Sequence, residues 1–362
     1  MVGLAYGRQG FNKGVSYMKA FRFYGQRDGK IEDVVKPVAG EGELLLKVTQ
    51  AGICQTQISE FIEGPYIINK DPHPITGRCL PLIPGHEFGG IVESVGPGAD
   101  ESWIGINAAL MPARVCGKCV SCQAGNLALC DVLSYQGLLG EDGGFAEYAV
   151  INQSNAFKCE RTELLSWVEP ILCGIHQGMK IKKYTDASNI LVLGCGPLGL
   201  SAAAILEKYF GMEVTLLDRL PGRLARAREA GFNAVGRDEI KGQFDVVIDN
   251  AGSNHTDTNG GFIEAFDHLK KSGSLVLVGT YFHPVSVVPM AVLVVSERNI
   301  IPSFSYDARD VKVLDEVISS LEKVDFKMLN TDIHINDILD EGYYRAEVDK
   351  DSFTRLVISR FD

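Results

Sequence analysis

Four cysteines, Cys116, Cys119, Cys122 and Cys130, run as C-x-x-C-x-x-C-x(7)-C. Four thiolates at this spacing can close a tetrahedron around zinc and leave no open position, which makes a structural site rather than a reactive one. Gly117 and Gly125 supply the turns that such a tight loop needs. An iron–sulfur cluster is the competing occupant, and four packed free cysteines are the bland reading. A second set of donors is dispersed. His86 and Glu87 stand side by side in IPGHEFGGIV, Ile83 to Val92, with Cys54 upstream and Glu169 far downstream. Imidazole, carboxylate and thiolate all ligate a borderline metal such as zinc. Taken singly, His86 reads more simply as a core histidine with satisfied hydrogen bonds. Glu169, just before Pro170, reads as a helix-start carboxylate. Spacing alone does not join these four residues into one site.

A third stretch is built for phosphate. Gly194, Cys195, Gly196, Pro197, Leu198 and Gly199 fit G-x-G-x-x-G, directly after the strand-like ILVL and at the start of an alanine-rich helix pattern. The first glycine permits the tight turn. The second lets the backbone approach a pyrophosphate seated on the helix N-terminus, and the third allows close helix–strand packing. Asp218 ends the next strand pattern, 19 residues after Gly199, where a carboxylate accepts from the adenosine ribose hydroxyls. That acid would repel a 2′-phosphate, so NAD is the expected cofactor. Arg219 and Arg223 leave room for NADP, and Arg223 is expected on the adenosine side.

The elements that must carry these groups change in period along the chain. MKAFRFYG and GELLLKVTQAGIC alternate like strands, and short β-branched runs between glycines and prolines continue to about Val150. WVEPILCGIHQGMK reads as helical after Pro170. From Ile190 to Val278 strands and helices take turns: ILVLG, PLGLSAAAILEKYF, EVTLLD, PGRLARAREAG, FDVVIDNAG, GGFIEAFDHLKKSG and SLVLVG. This alternation argues for a parallel sheet covered by helices on both faces. VPMAVLVVSERNIIPSF is expected to hold strands near the sheet edge, VKVLDEVISSLEK a helix and LVISRF a closing strand. Residues 1–17, with four glycines and no clear period, read as an extension.

Totals bound the reading. A chain of 362 residues supports two domains, and 46% hydrophobic against 22% charged residues is the composition of a soluble globular protein. Net charge is −11 without any basic block, so no nucleic-acid or membrane partner is expected. The glycine-broken apolar run from Ile190 to Leu206 is too short for a membrane span. The first 17 residues have no apolar core of signal-peptide type. Nine cysteines, an odd number with four at metal spacing, fit a reducing compartment, so a cytoplasmic location is expected.

On GHEFGGIV, the four-cysteine lobe and the glycine turn, the chain from Met18 onward resembles the zinc-dependent medium-chain dehydrogenase/reductase superfamily. GICQTQISEFIEG, HPITGRCLPLIPGHEFGGIVESVG, FDVVIDNAG and the SFSY segment Ser303–Tyr306 are especially similar to the (R,R)-butanediol dehydrogenase branch of the polyol dehydrogenases. The resemblance implies an α/β fold: a GroES-like β-rich catalytic domain over 18–168 and 307–362, and a doubly wound Rossmann cofactor domain over 169–306. It implies two Zn2+ per chain. One is catalytic, at Cys54, His86 and Glu87 with Glu169 binding directly or through water. The other is structural, in the cysteine lobe. Thr56 falls at the hydroxyl that takes the substrate proton, and hydride passes between a small alcohol or ketone and the nicotinamide. Vicinal diols and polyols lead the substrate classes, and a homodimer or homotetramer is implied. The alternatives are a biosynthetic, sugar or threonine-type dehydrogenase of the same superfamily, and a non-catalytic zinc-stabilised dinucleotide-binding protein.

Three departures stand out. The family pattern Cys-Gly-Thr/Ser-Asp is here Cys54-Gln55-Thr56-Gln57. The missing aspartate orients the zinc-bound histidine in relatives, so a more electrophilic and less tightly held zinc is expected. Ser59 stands where many relatives carry a histidine that passes the proton to solvent, leaving Ser59, water or the cofactor ribose for that relay. Gly105-Ile106-Asn107-Ala108 replaces Gly-Asp-Arg-Val ahead of the lobe and touches no catalytic group.

Overall fold

Asn189–Leu193 is an almost unbroken apolar strand, and Ile190, Leu191 and Val192 are fully buried because helices cover both faces. In the computed structural model, which describes residues 15–252, 260–279, 281–282 and 290–362, it lies inside a six-stranded sheet. The strand order is Ala234–Val235, Glu213–Leu217, Asn189–Leu193, Phe244–Asp249, Leu269–Leu277 and Asn299–Pro302, every pairing parallel. The order reverses between Asn189–Leu193 and Phe244–Asp249. A crevice opens there at the carboxyl ends of the strands, where this architecture binds ligands.

The second sheet has seven strands, six of them in the order Asn330–His334, Arg355–Arg360, Glu43–Gly52, Glu87–Val95, Asn107–Leu110 and Ala156–Lys158. Tyr148–Asn152 also pairs with Glu43–Gly52. A hairpin of Tyr17–Gly25 and Asp28–Val35 stands beside it. The register sets Gly52 opposite Glu87, so the strand that leads to Cys54 ends against the strand that starts after His86. The small residues after His86-Glu87 follow from this packing: a Cβ at Gly90 would run into the Lys47 carbonyl of the neighbouring strand.

Four expectations are corrected. The helix after Trp167 begins at Val168, so Pro170 sits in its first turn, where a missing N–H costs nothing. GGFIEAFDHLKKSG is helical only over Gly260–His268, and strand Leu269–Leu277 takes the rest. Leu269 is fully buried and pairs with Phe244, so sheet pairing outcompetes the helical pattern there. Met290–Ser296 is a helix, and among the described residues of that segment only Asn299–Pro302 supplies the expected edge strand. VKVLDEVISSLEK is split into Ala308–Lys312 and Leu314–Ser320. An Asp307/Asp310 capping box starts the first helix early, and the helical turn breaks at Val313. The N-terminal extension lies outside the described residues up to position 14. Among the described residues no helix is long and apolar enough to cross a membrane.

Candidate active site

Cys54 caps the N-terminus of the helix Gln55–Ile62 at the end of strand Glu43–Gly52. The structure brings its sulfur together with His86 and Glu87, their donor atoms all within 4.8 Å of one another. Burial raises the Cys54 thiol well above its ordinary range, and the Glu87 and Glu169 charges push it further. Glu169, in the first turn of the helix Val168–Tyr184, lines the same cleft but stands outside that cluster. Its Oε1 accepts from the Tyr135 hydroxyl at 2.7 Å and from the Cys173 thiol at 3.2 Å. Burial also raises Glu169, with the Glu87 carboxylate adding to the effect. A sulfur, an imidazole nitrogen and a carboxylate oxygen at this separation, beside a second buried carboxylate, form a donor set that a divalent cation such as zinc fits.

Two side chains hold the ligand candidates from behind. Gln57 is buried. Its Oε1 accepts from the Cys54 N–H at 3.0 Å and its Nε2 lies 2.7 Å from His86 Nδ1. Arg355 is buried too. Its Nη2 donates to Glu87 Oε2 at 2.7 Å and to the Ser166 carbonyl, and the guanidinium lies 4.5 Å from the Trp167 ring centre. Its Nε and Nη1 are buried without a partner. Thr56 and Ser59 both line the cleft from the helix Gln55–Ile62.

Cys116, Cys119, Cys122 and Cys130 also fall within 4.8 Å of one another. All four are free, and Cys116 Sγ lies 3.9 Å from Cys122 Sγ, far beyond a disulfide. Backbone N–H groups of Lys118 and Cys119 bring the Cys116 thiol down to about 6, which favours the thiolate form that ligates zinc, while burial and the neighbouring thiols push Cys122 the other way.

Gly194, Gly196, Pro197, Leu198, Asp218 and Arg223 line the cleft that holds Cys54, His86, Glu87 and Glu169, a cavity of about 380 Å³. Gly196 caps the helix Pro197–Lys208, with Pro197 at its first position. Gly199 is a packing residue: a Cβ there would run into the Gly194 carbonyl, so the helix approaches the strand only as glycine. Each Asp218 oxygen already takes a backbone donor, Cys195 N at 2.7 Å and Leu220 N at 2.9 Å. Arg223 donates from Nε to the Lys350 carbonyl at 3.0 Å. The cradle fits a dinucleotide.

Sequence reasoning missed Tyr135, Cys173, Ser305, Lys350 and Arg355, all of which line this cleft. Cys173 was within reach, four residues after Glu169 on one helix face. Arg355 was hinted at by a cation opening an apolar closing strand. Ser305 lies in the SFSY segment that carries part of the resemblance, though nothing local marks its role, and Tyr135 carries no local signal.

The family described as alcohol dehydrogenase GroES-like domain matches residues 40–161, and the zinc-binding dehydrogenase family matches residues 197–320. The chain belongs to the zinc-dependent medium-chain dehydrogenase/reductase superfamily. It is 28% identical to (R,R)-butanediol dehydrogenase of Neisseria gonorrhoeae over 94% of this chain and 99% of that protein. It is 30% identical to sorbitol dehydrogenase of Bacillus subtilis over 59% of each. Among solved structures, 2R,3R-butanediol dehydrogenase of Bacillus subtilis superposes with a TM-score of 0.78 at 24% identity, covering 94% of this chain and 99% of that one. An alcohol dehydrogenase from Escherichia coli CFT073, complexed with NADH, gives a TM-score of 0.79 at 24% identity over 95% and 99%.

Proposed function

We propose that this protein is a zinc-dependent alcohol or polyol dehydrogenase that moves a hydride between a secondary alcohol, vicinal diols and polyols favoured, and NAD. The observation that carries the reading is the sharing of one cleft by the Cys54–His86–Glu87 cluster and the glycine turn Gly194–Gly199. Cys54, His86 and Glu87 would hold one zinc, with Glu169 beside it, and Cys116, Cys119, Cys122 and Cys130 a second. When bound, the first zinc supplies Lewis-acid polarisation of the substrate oxygen and the nicotinamide supplies the hydride acceptor. The protein's part is to position and to move a proton. Thr56 Oγ1 would accept the proton of the substrate hydroxyl while its own proton passes on to Ser59, three residues further along that helix, to water or to the cofactor ribose, and so out to solvent. Ile58, Leu133, Leu138, Leu139 and Phe282 line the cavity and keep water from it. The backbone at Gly196 and Pro197 receives the pyrophosphate at the helix N-terminus, with Asp218 and Arg223 toward the adenosine. An assembly of two or four copies through the edge strand Asn299–Pro302 belongs to the same reading. Its support is the apolar row Met290, Val294 and Val295, exposed at 62%, 73% and 78%.

The test is elemental analysis joined to NADH formation over a panel of diols, polyols and simple secondary alcohols. Two zincs per chain and turnover are expected. Cys54→Ser is expected to keep one zinc and to lose activity on the order of 1,000-fold, the several kcal/mol that Lewis-acid stabilisation supplies. Turnover unchanged in Cys54→Ser would refute the assignment.

A pH dependence follows from Lys350, which lines the adenosine end. Burial, then the charges of Arg223 and Arg219, lower it from 10.5 to about 8. Its folded value is depressed, so the charge is complete only below about pH 8, and folded-state stability gains as pH climbs from there toward the unfolded value. Affinity for the anionic dinucleotide is therefore expected to fall roughly 3- to 10-fold as pH rises through that window, the worth of one favourable charge contact. Titration of NADH by fluorescence between pH 6.5 and 9.5 checks it (roughly one and a half units either side of the shifted value), and Lys350→Met should flatten the profile.

A further inference from the structure

Two side chains hydrogen-bond one oxygen of the Glu169 carboxylate, and a third, distant in sequence, braces one of those two. Tyr135, on the short strand Ser134–Tyr135, donates its hydroxyl to Oε1 at 2.7 Å. Cys173, one helical turn beyond Glu169, donates its thiol to the same oxygen at 3.2 Å. Ser305, three residues past the last strand of the cofactor sheet, has its Oγ 3.0 Å from the Tyr135 oxygen. A phenol has one proton, and the Tyr135 proton is committed to a carboxylate, so the Ser305 hydroxyl must be the donor in that contact. Among the described residues, no donor reaches Oε2. The carboxylate is thus anchored by Oε1 and leaves its other oxygen free of protein donors. Tyr135 also sets its ring edge-on against His86, with centroids 5.6 Å apart.

The backbone at Ser305 is strained. Its φ is +52°, in the left-handed region that a serine enters at a cost. That conformation is held where the hydroxyl meets Tyr135, at the wall of the cleft. Cys173 alone could not fix the carboxylate, because a thiol is a weak donor. The stronger, charge-assisted bond comes from Tyr135.

We propose that Tyr135 and Ser305 are positioning residues that fix the rotation of the Glu169 carboxylate through its Oε1, for a metal held with Cys54, His86 and Glu87. This rests on the reading that the cluster binds zinc. One strap of two hydroxyls would then tie the metal-side carboxylate, through the short strand Ser134–Tyr135, to the segment that leaves the last strand of the cofactor sheet.

The test is zinc affinity of the cleft site, measured by chelator competition on the full chain with the four-cysteine zinc in place. Tyr135→Phe keeps the ring against His86 and removes only the hydroxyl. It is expected to weaken zinc by roughly 10- to 100-fold, as loss of an outer partner of a ligand does. Ser305→Ala should act in the same direction by a smaller factor. In a Glu169→Ala background, Tyr135→Phe should change the affinity no further, since its route to the metal is gone. Cobalt(II) bound at the cleft site should show a shifted visible spectrum in Tyr135→Phe but not in the Glu169→Ala pair. Unchanged affinity in Tyr135→Phe, or an equal loss with and without Glu169, overturns the positioning role. A wild-type protein that takes up zinc in the cysteine lobe alone overturns the functional reading instead, and the positioning role with it. Retention of the lobe zinc by each variant separates these outcomes from misfolding.

Discussion

Glutamate in place of Gln57 is expected to tighten zinc in the cleft by roughly 10- to 100-fold. The reason lies in which nitrogen of His86 carries the proton. The Cys54 N–H can only donate, and it points at Gln57 Oε1 from 3.0 Å. The amide is thereby oriented, and its NH2 faces His86 Nδ1 at 2.7 Å. A neutral His86 must then accept at Nδ1 and keep its proton on Nε2, the nitrogen 3.8 Å from Glu87 Oε1. A metal among Cys54, His86 and Glu87 needs that nitrogen bare. Moving the proton to Nδ1 sets two donors against each other, and turning the amide only transfers the conflict to the Cys54 N–H. Either way about one buried hydrogen bond is lost, about 1–3 kcal/mol, which converts to a similar factor. A carboxylate of the same length accepts from both neighbours, so Gln57→Glu removes the conflict without changing the packing. The metal-free variant should be less stable, because it adds a buried negative charge near Glu87 and Glu169. Chelator competition gives the affinities, and nitrogen chemical shifts of His86 in metal-free protein give the tautomer. Equal zinc affinity in the two proteins, or a proton already on Nδ1 in the wild type, would sink the argument.

How far the sequence reaches is visible in this one residue. Gln57 is legible as a departure from a family pattern, and the lost charge follows from its type. The tautomer conflict does not, because it depends on an amide held by a backbone N–H that only the helix start at Cys54 brings into range. The cysteine lobe and the glycine turn were legible because their residues are close in sequence and their chemistry is local. The alternating strands of the cofactor sheet were legible for the same reason: a buried parallel strand is a short apolar run wherever it occurs. Element ends were not, as at Leu269, where a partner strand claims residues that a helical pattern would keep. Least legible were the partners of the ligand candidates. Tyr135 lies 34 residues from Glu169, and Arg355 lies 268 residues from Glu87. Arg355 and Glu87 stand on the two strands that flank Glu43–Gly52 in one sheet, and Tyr135 reaches a helix from a separate short strand, so such pairs are made by tertiary packing and no spacing rule encodes them.

Replacing Arg355 by methionine is expected to cost about 3–5 kcal/mol in metal-free protein, the penalty for stranding one member of a buried ion pair. Glu87 Oε2 would lose its 2.7 Å bond, in a site where Glu87 itself is only 4% exposed. Methionine fills much of the space over Trp167, so the loss is one of charge more than of volume. The guanidinium is imperfectly satisfied, with Nε and Nη1 unpartnered, so the pair adds little net stability over an apolar replacement of both residues. The double variant Glu87→Gln/Arg355→Met should therefore recover most of the single variant's loss. Zinc sharpens the distinction. A cation between Cys54, His86 and Glu87 would neutralise the stranded carboxylate, so saturating zinc should shrink the Arg355→Met penalty while leaving that of an unrelated core substitution unchanged. Urea midpoints with and without zinc, for the wild type and both variants, make the comparison. A penalty that zinc does not reduce would mean that Arg355 serves the packing around Trp167 and not the charge on Glu87.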